Sequence, residues 1–144
     1  MLNGNHEATR RVLLTGGNGG IGIELIRVFA EAGYHVTFTH RPDDDSRRRA
    51  LDLIERFRDR RVDALPLDVG NRASHAELVE RLAEPVDVLI HNAGVGTKTV
   101  ERVASHPKAQ DEAFFRVNAL GPLWLTDDLL PAMRHHGRGK IVFV

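Results

Sequence analysis

Thr15-Gly16-Gly17-Asn18-Gly19-Gly20-Ile21-Gly22 lies between the short apolar run Arg11-Val12-Leu13-Leu14 and residues 21–32, which carry apolar side chains at Ile21, Leu25, Ile26, Phe29 and Ala30. The run reads as a strand and the following stretch as an amphipathic helix, so the glycines form the turn from one into the other. At such a place backbone N–H groups and the positive end of the helix dipole meet, and the lack of side chains lets an anion approach. The alternative is a plain tight turn. The placement points to the pyrophosphate of a dinucleotide, held by Thr15, Gly16, Asn18, Gly19, Gly20, Ile21 and Gly22.

Outward from the turn, strands and helices alternate. Gly33 closes the first helix and residues 34–39 form a second strand. Pro42 and the triplet Asp43-Asp44-Asp45 suit a helix start, with Leu51, Ile54 and Phe57 as its buried stripe. Residues 62–67 are a third strand. Asn71 caps a third helix running to Glu84, with Ala76, Leu78, Val79 and Leu82 apolar and Pro85 as its stop. Residues 86–90 are a fourth strand, followed by a polar loop with Gly94 and Gly96. A long helix over 109–135 is softly interrupted at Gly121-Pro122 and Pro131. Residues 140–144 are a fifth strand. Continuous apolar strands alternating with helices predict an α/β fold, a doubly wound parallel (Rossmann) sheet of strand order 3-2-1-4-5. No repeat, low-complexity tract or linker interrupts it.

The chain has 144 residues, enough for one domain over 1–144, and 20 basic residues balance 20 acidic ones. A balanced charge gives no long-range pull toward nucleic acid or an anionic membrane. Cysteine is absent, which removes disulfides, thiolate nucleophiles and cysteine metal sites. The adjacent pair His135-His136 points in directions about 100° apart on a helix and has no ligand set around it, so it reads as a solvated helix end and no metal site is expected. Arg47-Arg48-Arg49 reads as an exposed face. Residues 1–11 are polar, without the apolar stretch of a signal peptide, and no segment approaches the roughly 20 apolar residues of a membrane span. The default expectation is cytoplasmic.

With these elements in place the chain from Arg11 to Val144 resembles the short-chain dehydrogenase/reductase family. Gly16, Gly20 and Gly22 fit the TGxxxGxG of its classical branch, while Gly16, Gly19 and Gly22 fit the TGxxGxxG of its extended branch. Later motifs favour the classical one. His91-Asn92-Ala93-Gly94 resembles NNAG, with His91 in place of the first Asn. In the family this segment supports the central sheet and lines the nicotinamide ribose side, which implies roles for Asn92, Ala93 and Gly94. Asp68-Val69 resembles the pair that binds the adenine amino group; a turn carboxylate is the other reading of Asp68. Val117-Asn118-Ala119-Leu120-Gly121 resembles VNxxG. The resemblance implies that Asn118 belongs to the catalytic tetrad, holding a water in a proton relay partly through a backbone distortion. A mid-helix Asn satisfied by a neighbouring carbonyl is the alternative.

Cofactor choice belongs to the end of the second strand, Thr39-His40-Arg41. A carboxylate there would bond a ribose 2′-hydroxyl, and a cation would meet a 2′-phosphate. No carboxylate stands there, and Arg41 can make a paired, charge-assisted contact with phosphate, His40 lying beside it. NADP(H) is therefore favoured over NAD(H), although Arg41 also reads as a solvated charge ahead of Pro42.

The resemblance further implies a serine, a tyrosine and a lysine after the fifth strand, the tyrosine exchanging a proton with a carbonyl or alcohol substrate. Tyr34 is the only tyrosine in the chain and sits at the start of the second strand. An apolar fifth strand at an open sheet edge calls for a cover. The expectation is thus an NADP(H)-dependent oxidoreductase completed by a C-terminal polypeptide or segment over the 141–144 edge. The helix around Asn118 resembles the family's dimer-forming helix, which implies a homo- or hetero-oligomer. The alternative is a non-catalytic NADP(H)-binding or protein-interaction module.

Overall fold

Val12, Leu13 and Leu14 point to alternating sides of one strand and all are buried, which happens only where helices cover both faces of a sheet. The computed structural model describes residues 9–96 and 108–144. In it β1 (Arg11–Leu14) leads into α1 (Gly20–Glu31), β2 (His35–His40), α2 (Asp44–Arg56), β3 (Val62–Pro66), α3 (Arg72–Arg81) and β4 (Val88–His91). The second described stretch holds α4 (Lys108–Phe115), a π-helical turn (Arg116–Leu120), α5 (Gly121–His135) and β5 (Lys140–Phe143). Every strand pair is parallel, and the order is β3-β2-β1-β4-β5. This is the doubly wound sheet expected from the alternation of elements.

The sheet divides the apolar interior into two layers. Val12, Leu14, Val36, Phe38 and Ile90 pack with Ile26 and Ala30 of α1 and with Ala50 and Leu53 of α2. On the other face Leu13 and Leu89 pack with Leu78 of α3 and with Leu125, Leu129 and Met133 of α5. Each of these side chains larger than alanine contributes on the order of 1.5–3 kcal/mol by leaving water. Among the described residues no helix is long and apolar enough to cross a membrane.

Helix ends follow local chemistry. Asp43 caps α2 by accepting the Ser46 N–H at 2.8 Å, and Asn71 caps α3 by accepting the Ala73 N–H at 3.0 Å. Gly33 follows α1 with φ +84°, a conformation that costs an L side chain.

Several positions differ from the sequence expectation. Ile21 is 62% exposed, because the inward stripe of α1 runs through Gly22, Ile26 and Ala30. Leu51 is exposed while Ala50 and Leu53 are buried; of the expected stripe Ile54 and Phe57 do pack against the core, and only Leu51 turns away. In α3 Ala76 is exposed and His75 is buried instead. That helix also ends at Arg81, before Pro85 is reached. The long helix continues through Pro131; its irregularity is the π turn just ahead of Gly121. Strand β5 is not covered on both faces: Val142 and Phe143, with Val144 beyond them, are exposed.

Candidate functional site

The carboxyl ends of β1, β2, β3 and β4 open on one cleft of about 520 Å³. The turn supplies Gly16, Asn18, Gly19, Gly20, Ile21 and Gly22 to its wall. The end of β2 adds Thr39, His40 and Arg41, and the end of β3 adds Leu67, Asp68 and Val69. Asn92, Ala93, Gly94 and Val95 follow β4, and Val117 comes from the π turn. Residues far apart in the chain thus converge where the strand order reverses, the place at which open α/β sheets bind ligands.

Helix α1 begins at this cleft with no side-chain cap and no acidic residue in its first turn. Helix α2, by contrast, has Asp43 as cap and Asp44 and Asp45 in its first turn. The free N–H groups and positive dipole end of α1 therefore remain available to an external anion. Gly16 has φ +69°, and a Cβ on Gly22 would stand 2.4 Å from the Gly16 carbonyl oxygen. The turn closes on itself too tightly for a side chain at Gly22, and at Gly16 the positive φ and the Cα of Ala93, 2.8 Å from a Cβ there, exclude one. At Gly20 a Cβ would meet nothing within 4 Å, so the space beside the helix start is open. A pyrophosphate fits this cradle in charge and in room.

Thr15 and Gly17 are the members of the turn that do not line the cleft, and Thr15 is the one that braces it. Thr15 is buried beneath the cleft, and its Oγ accepts the N–H groups of Asn92 at 3.1 Å and Ala93 at 3.0 Å. Asn92 returns the contact, its side-chain amide donating to the carbonyls of Thr15 at 3.2 Å and Gly16 at 3.0 Å. Gly16 N–H donates to Thr39 Oγ at 3.3 Å. The ends of β2 and β4 thereby hold the turn in position.

Asp68 is exposed, and its carboxylate accepts the Gly70 N–H at 3.0 Å, so it serves the turn after β3 while lying at the cleft. Val69 is buried and held from behind by His75, whose Nε2 donates to the Val69 carbonyl at 2.8 Å. A Cβ on Gly121 would come within 2.2 Å of that same carbonyl. His75 was missed in the sequence because nothing local distinguishes a buried histidine on a mostly polar helix.

Asn118 sits in the π turn, and its side chain bonds the backbone of Val95 in both directions. Arg41 is 74% exposed, with Nε 3.4 Å from Asp43 Oδ2. His91, in the position before Asn92, is buried under the cleft floor with Nε2 2.9 Å from Thr126 Oγ and its ring stacked on Phe143 at 4.7 Å. Burial, with a smaller push from His75, lowers its pKa to about 4, so it is neutral at physiological pH.

At the opposite end of the sheet Asp87 accepts the Arg11 N–H at 2.7 Å, Arg138 Nε at 2.7 Å and, at 3.2 Å, a contact from His136. His136 is thus a partner of Asp87 rather than a merely solvated helix end. Among the described residues no group of three or more potential ligands could hold a metal ion.

Residues 10–144 match the family model described as short chain dehydrogenase. The chain belongs to the short-chain dehydrogenase family. Within this short-chain dehydrogenase family a Drosophila melanogaster protein named dehydrogenase/reductase SDR family protein 7-like is 35% identical over 138 residues, covering 92% of this chain and 42% of the relative. The ketoacyl reductase HetN of Nostoc sp. is 30% identical over 136 residues, covering 92% of this chain and 46% of that protein. The closed form of a serine dehydrogenase complexed with NADP+ superposes with a TM-score of 0.81 at 28% identity, over 92% of this chain and 52% of that one. A gluconate 5-dehydrogenase from Burkholderia cenocepacia, solved with NADP and tartrate, gives 0.76 at 31% identity, over 93% and 52%. This chain spans about half the length of the short-chain dehydrogenases it matches.

Proposed function

We propose that this chain is the dinucleotide-binding part of an NADP(H)-dependent oxidoreductase that interconverts a carbonyl and an alcohol. The observation that carries the proposal is the uncapped start of α1, opening on a cleft whose β2 rim, residues 39–41, presents a cation and no carboxylate. The turn and the α1 N–H groups hold the pyrophosphate, Arg41 meets the 2′-phosphate, and Asp68 with the backbone of Val69 meets the adenine. Asn92, Ala93 and Gly94 form the nicotinamide side, and Asn118 fixes the loop that follows them. When bound, the nicotinamide supplies a hydride or accepts one.

The proton that accompanies the hydride has to come from elsewhere. Tyr34 packs edge-on against Phe29 at 5.2 Å, in the layer beneath α1, and cannot reach the cleft. Activity therefore depends on a further segment or second polypeptide that supplies the serine, tyrosine and lysine of the family. The exposed face of β5 supports that reading, since a parallel apolar edge strand is ordinarily paired or covered. Such an enzyme would work as a homo- or hetero-oligomer in the cytoplasm.

Fluorescence titration with NADPH and NADH tests the cofactor assignment. Arg41→Ala should weaken NADPH by roughly tenfold, the order expected for one charge-assisted contact, and leave NADH nearly unchanged. Equal weakening of both would remove the 2′-phosphate from Arg41. A second reading is a non-catalytic NADP(H)-binding or interaction module, in which the exposed side chains of β5 hold a partner. Reductase activity on adding the completing segment argues for the enzyme, and NADPH binding that never leads to turnover argues for the module.

A further inference from the structure

The cation at the β2 rim does not stand alone. Asp43 faces Arg41, Nε to Oδ2, at 3.4 Å, and Asp43 is itself fixed. Its Oδ1 accepts the Ser46 N–H at 2.8 Å and its Oδ2 accepts the Ser46 hydroxyl at 3.0 Å. The Ser46 carbonyl in turn accepts from the side-chain amide of Asn18 at 3.4 Å. The glycine turn, the cap of α2 and Arg41 therefore form one connected rim, with a carboxylate set against the guanidinium.

We propose that Asp43 is a specificity-determining residue that part-neutralises Arg41 and so narrows the margin by which the cleft prefers a 2′-phosphate to a 2′-hydroxyl. This rests on the assignment of Arg41 to the 2′-phosphate made above. Asp43 acts through Arg41 and is a positioning residue.

Two effects of the carboxylate oppose each other. It orients Arg41, which favours phosphate binding, but an exposed pair of this kind holds a long side chain only weakly. It also offsets the charge of Arg41 and repels a group that carries nearly two negative charges of its own. The second effect is larger, because Coulomb energy scales with the phosphate charge while the orienting gain does not. The Ser46 N–H lowers the pKa of the Asp43 carboxyl from its ordinary value; burial opposes this, and the Ser46 hydroxyl, Arg41 and Arg49 add to the lowering. It is charged wherever the protein is folded at neutral pH.

Asp43→Asn removes the charge and keeps a side chain that caps α2 well, and Asp43→Ser does the same with a shorter one. Full-length variants are titrated with NADPH and NADH, and with 2′,5′-ADP and 5′-ADP as fragments that differ in the 2′-phosphate alone. Both variants should tighten NADPH and 2′,5′-ADP by roughly three- to tenfold and shift NADH and 5′-ADP by less than about twofold. An unchanged ratio, or a ratio moved toward NADH, would overturn the proposal. So would a gain that persists undiminished in the Arg41→Ala background. If Arg41→Ala alone leaves NADPH selectivity intact, the 2′-phosphate assignment fails first, whatever Asp43 does.

Discussion

Asn118 and Val95 are paired in both directions: the Asn118 Oδ1 accepts the Val95 N–H at 2.8 Å, and its Nδ2 donates to the Val95 carbonyl at 2.7 Å. The π turn carries Asn118 to the edge of the cleft, and the amide ties the loop after β4 to it. Replacing Asn118 with Ala removes both bonds, at about 1–2 kcal/mol in total since the loop can turn to water. Urea denaturation should show that loss, and NADPH affinity should fall several-fold as residues 92–96 loosen. Asn118→Asp keeps an acceptor but sets a negative oxygen against the Val95 carbonyl, so it should bind no better than Ala. An Asp variant equal to the natural protein would show that the pairing does not hold the loop.

Gly20 and Gly22 separate binding from folding. A Cβ on Gly22 would collide with the Gly16 carbonyl oxygen at 2.4 Å, whereas one on Gly20 meets nothing within 4 Å. Gly22→Ala should lower both the melting temperature and NADPH affinity, with about 1–3 kcal/mol lost to backbone displacement. Gly20→Ala should leave the melting temperature within about 2 °C or raise it slightly, since alanine favours a helix by up to about 1 kcal/mol, yet weaken NADPH by intruding on the pyrophosphate. Thermal melts with and without NADPH distinguish the two.

His91 makes stability depend on pH in a defined window. Its pKa falls from the ordinary 6.5 to about 4 in the folded protein, so between those values the unfolded chain binds the proton and the folded one does not. Stability therefore rises with pH there: the full contribution is present above about pH 7 and is lost as pH falls from 6.5 toward 4, by up to about 3 kcal/mol. His91→Gln should flatten urea midpoints measured between pH 4.5 and 7. A variant as steep as the natural protein would assign the slope to another group.

Asp87 should prove the most sensitive carboxylate. Burial raises its pKa, but the Arg11 N–H, Arg138 and the nearby His136 together bring it below the ordinary value. Its contribution is complete above the ordinary carboxylate range and disappears as pH falls through the lowered value. Asp87→Asn should cost about 1–3 kcal/mol, because a buried link between β1, β4 and the turn before β5 loses a charge-assisted bond, and NADPH affinity should change little with the cleft at the other end of the sheet.

The order of elements was legible because short strands of four to six residues with apolar centres alternate without interruption with helices, two of which open on capping residues. Asp43, Asn71 and Gly33 announce helix boundaries by chemistry that acts within three residues. The cleft was legible for a related reason, since the ends of parallel strands must meet at one edge of the sheet. Contacts across the sheet were not. Periodicity could not tell Ala50 from Leu51 as the inward residue of α2, because one residue rotates a helix by about 100° and the partner face decides. His91 takes its partners from α5 and β5, Asp87 takes its own from β1 and the turn after α5, and Asn118 reaches a loop 23 positions away. No local pattern specifies such pairs. The triplet Asp43-Asp44-Asp45 reads as a helix start, and sequence alone does not say which of its carboxylates turns back to Arg41.

The two apolar layers differ in the stretch of chain that builds them. The layer against α1 and α2 is drawn entirely from residues between Val12 and Ile90, so all of it precedes α5 in the chain. The opposite layer needs Leu125, Leu129 and Met133. As the polypeptide emerges from its N-terminus, the side that supports the glycine turn can consolidate first, while Leu13, Leu89 and Leu78 still face solvent. That interval before α5 arrives is when the chain is most prone to stick to its neighbours, and slowed synthesis across residues 91–120 would lengthen it.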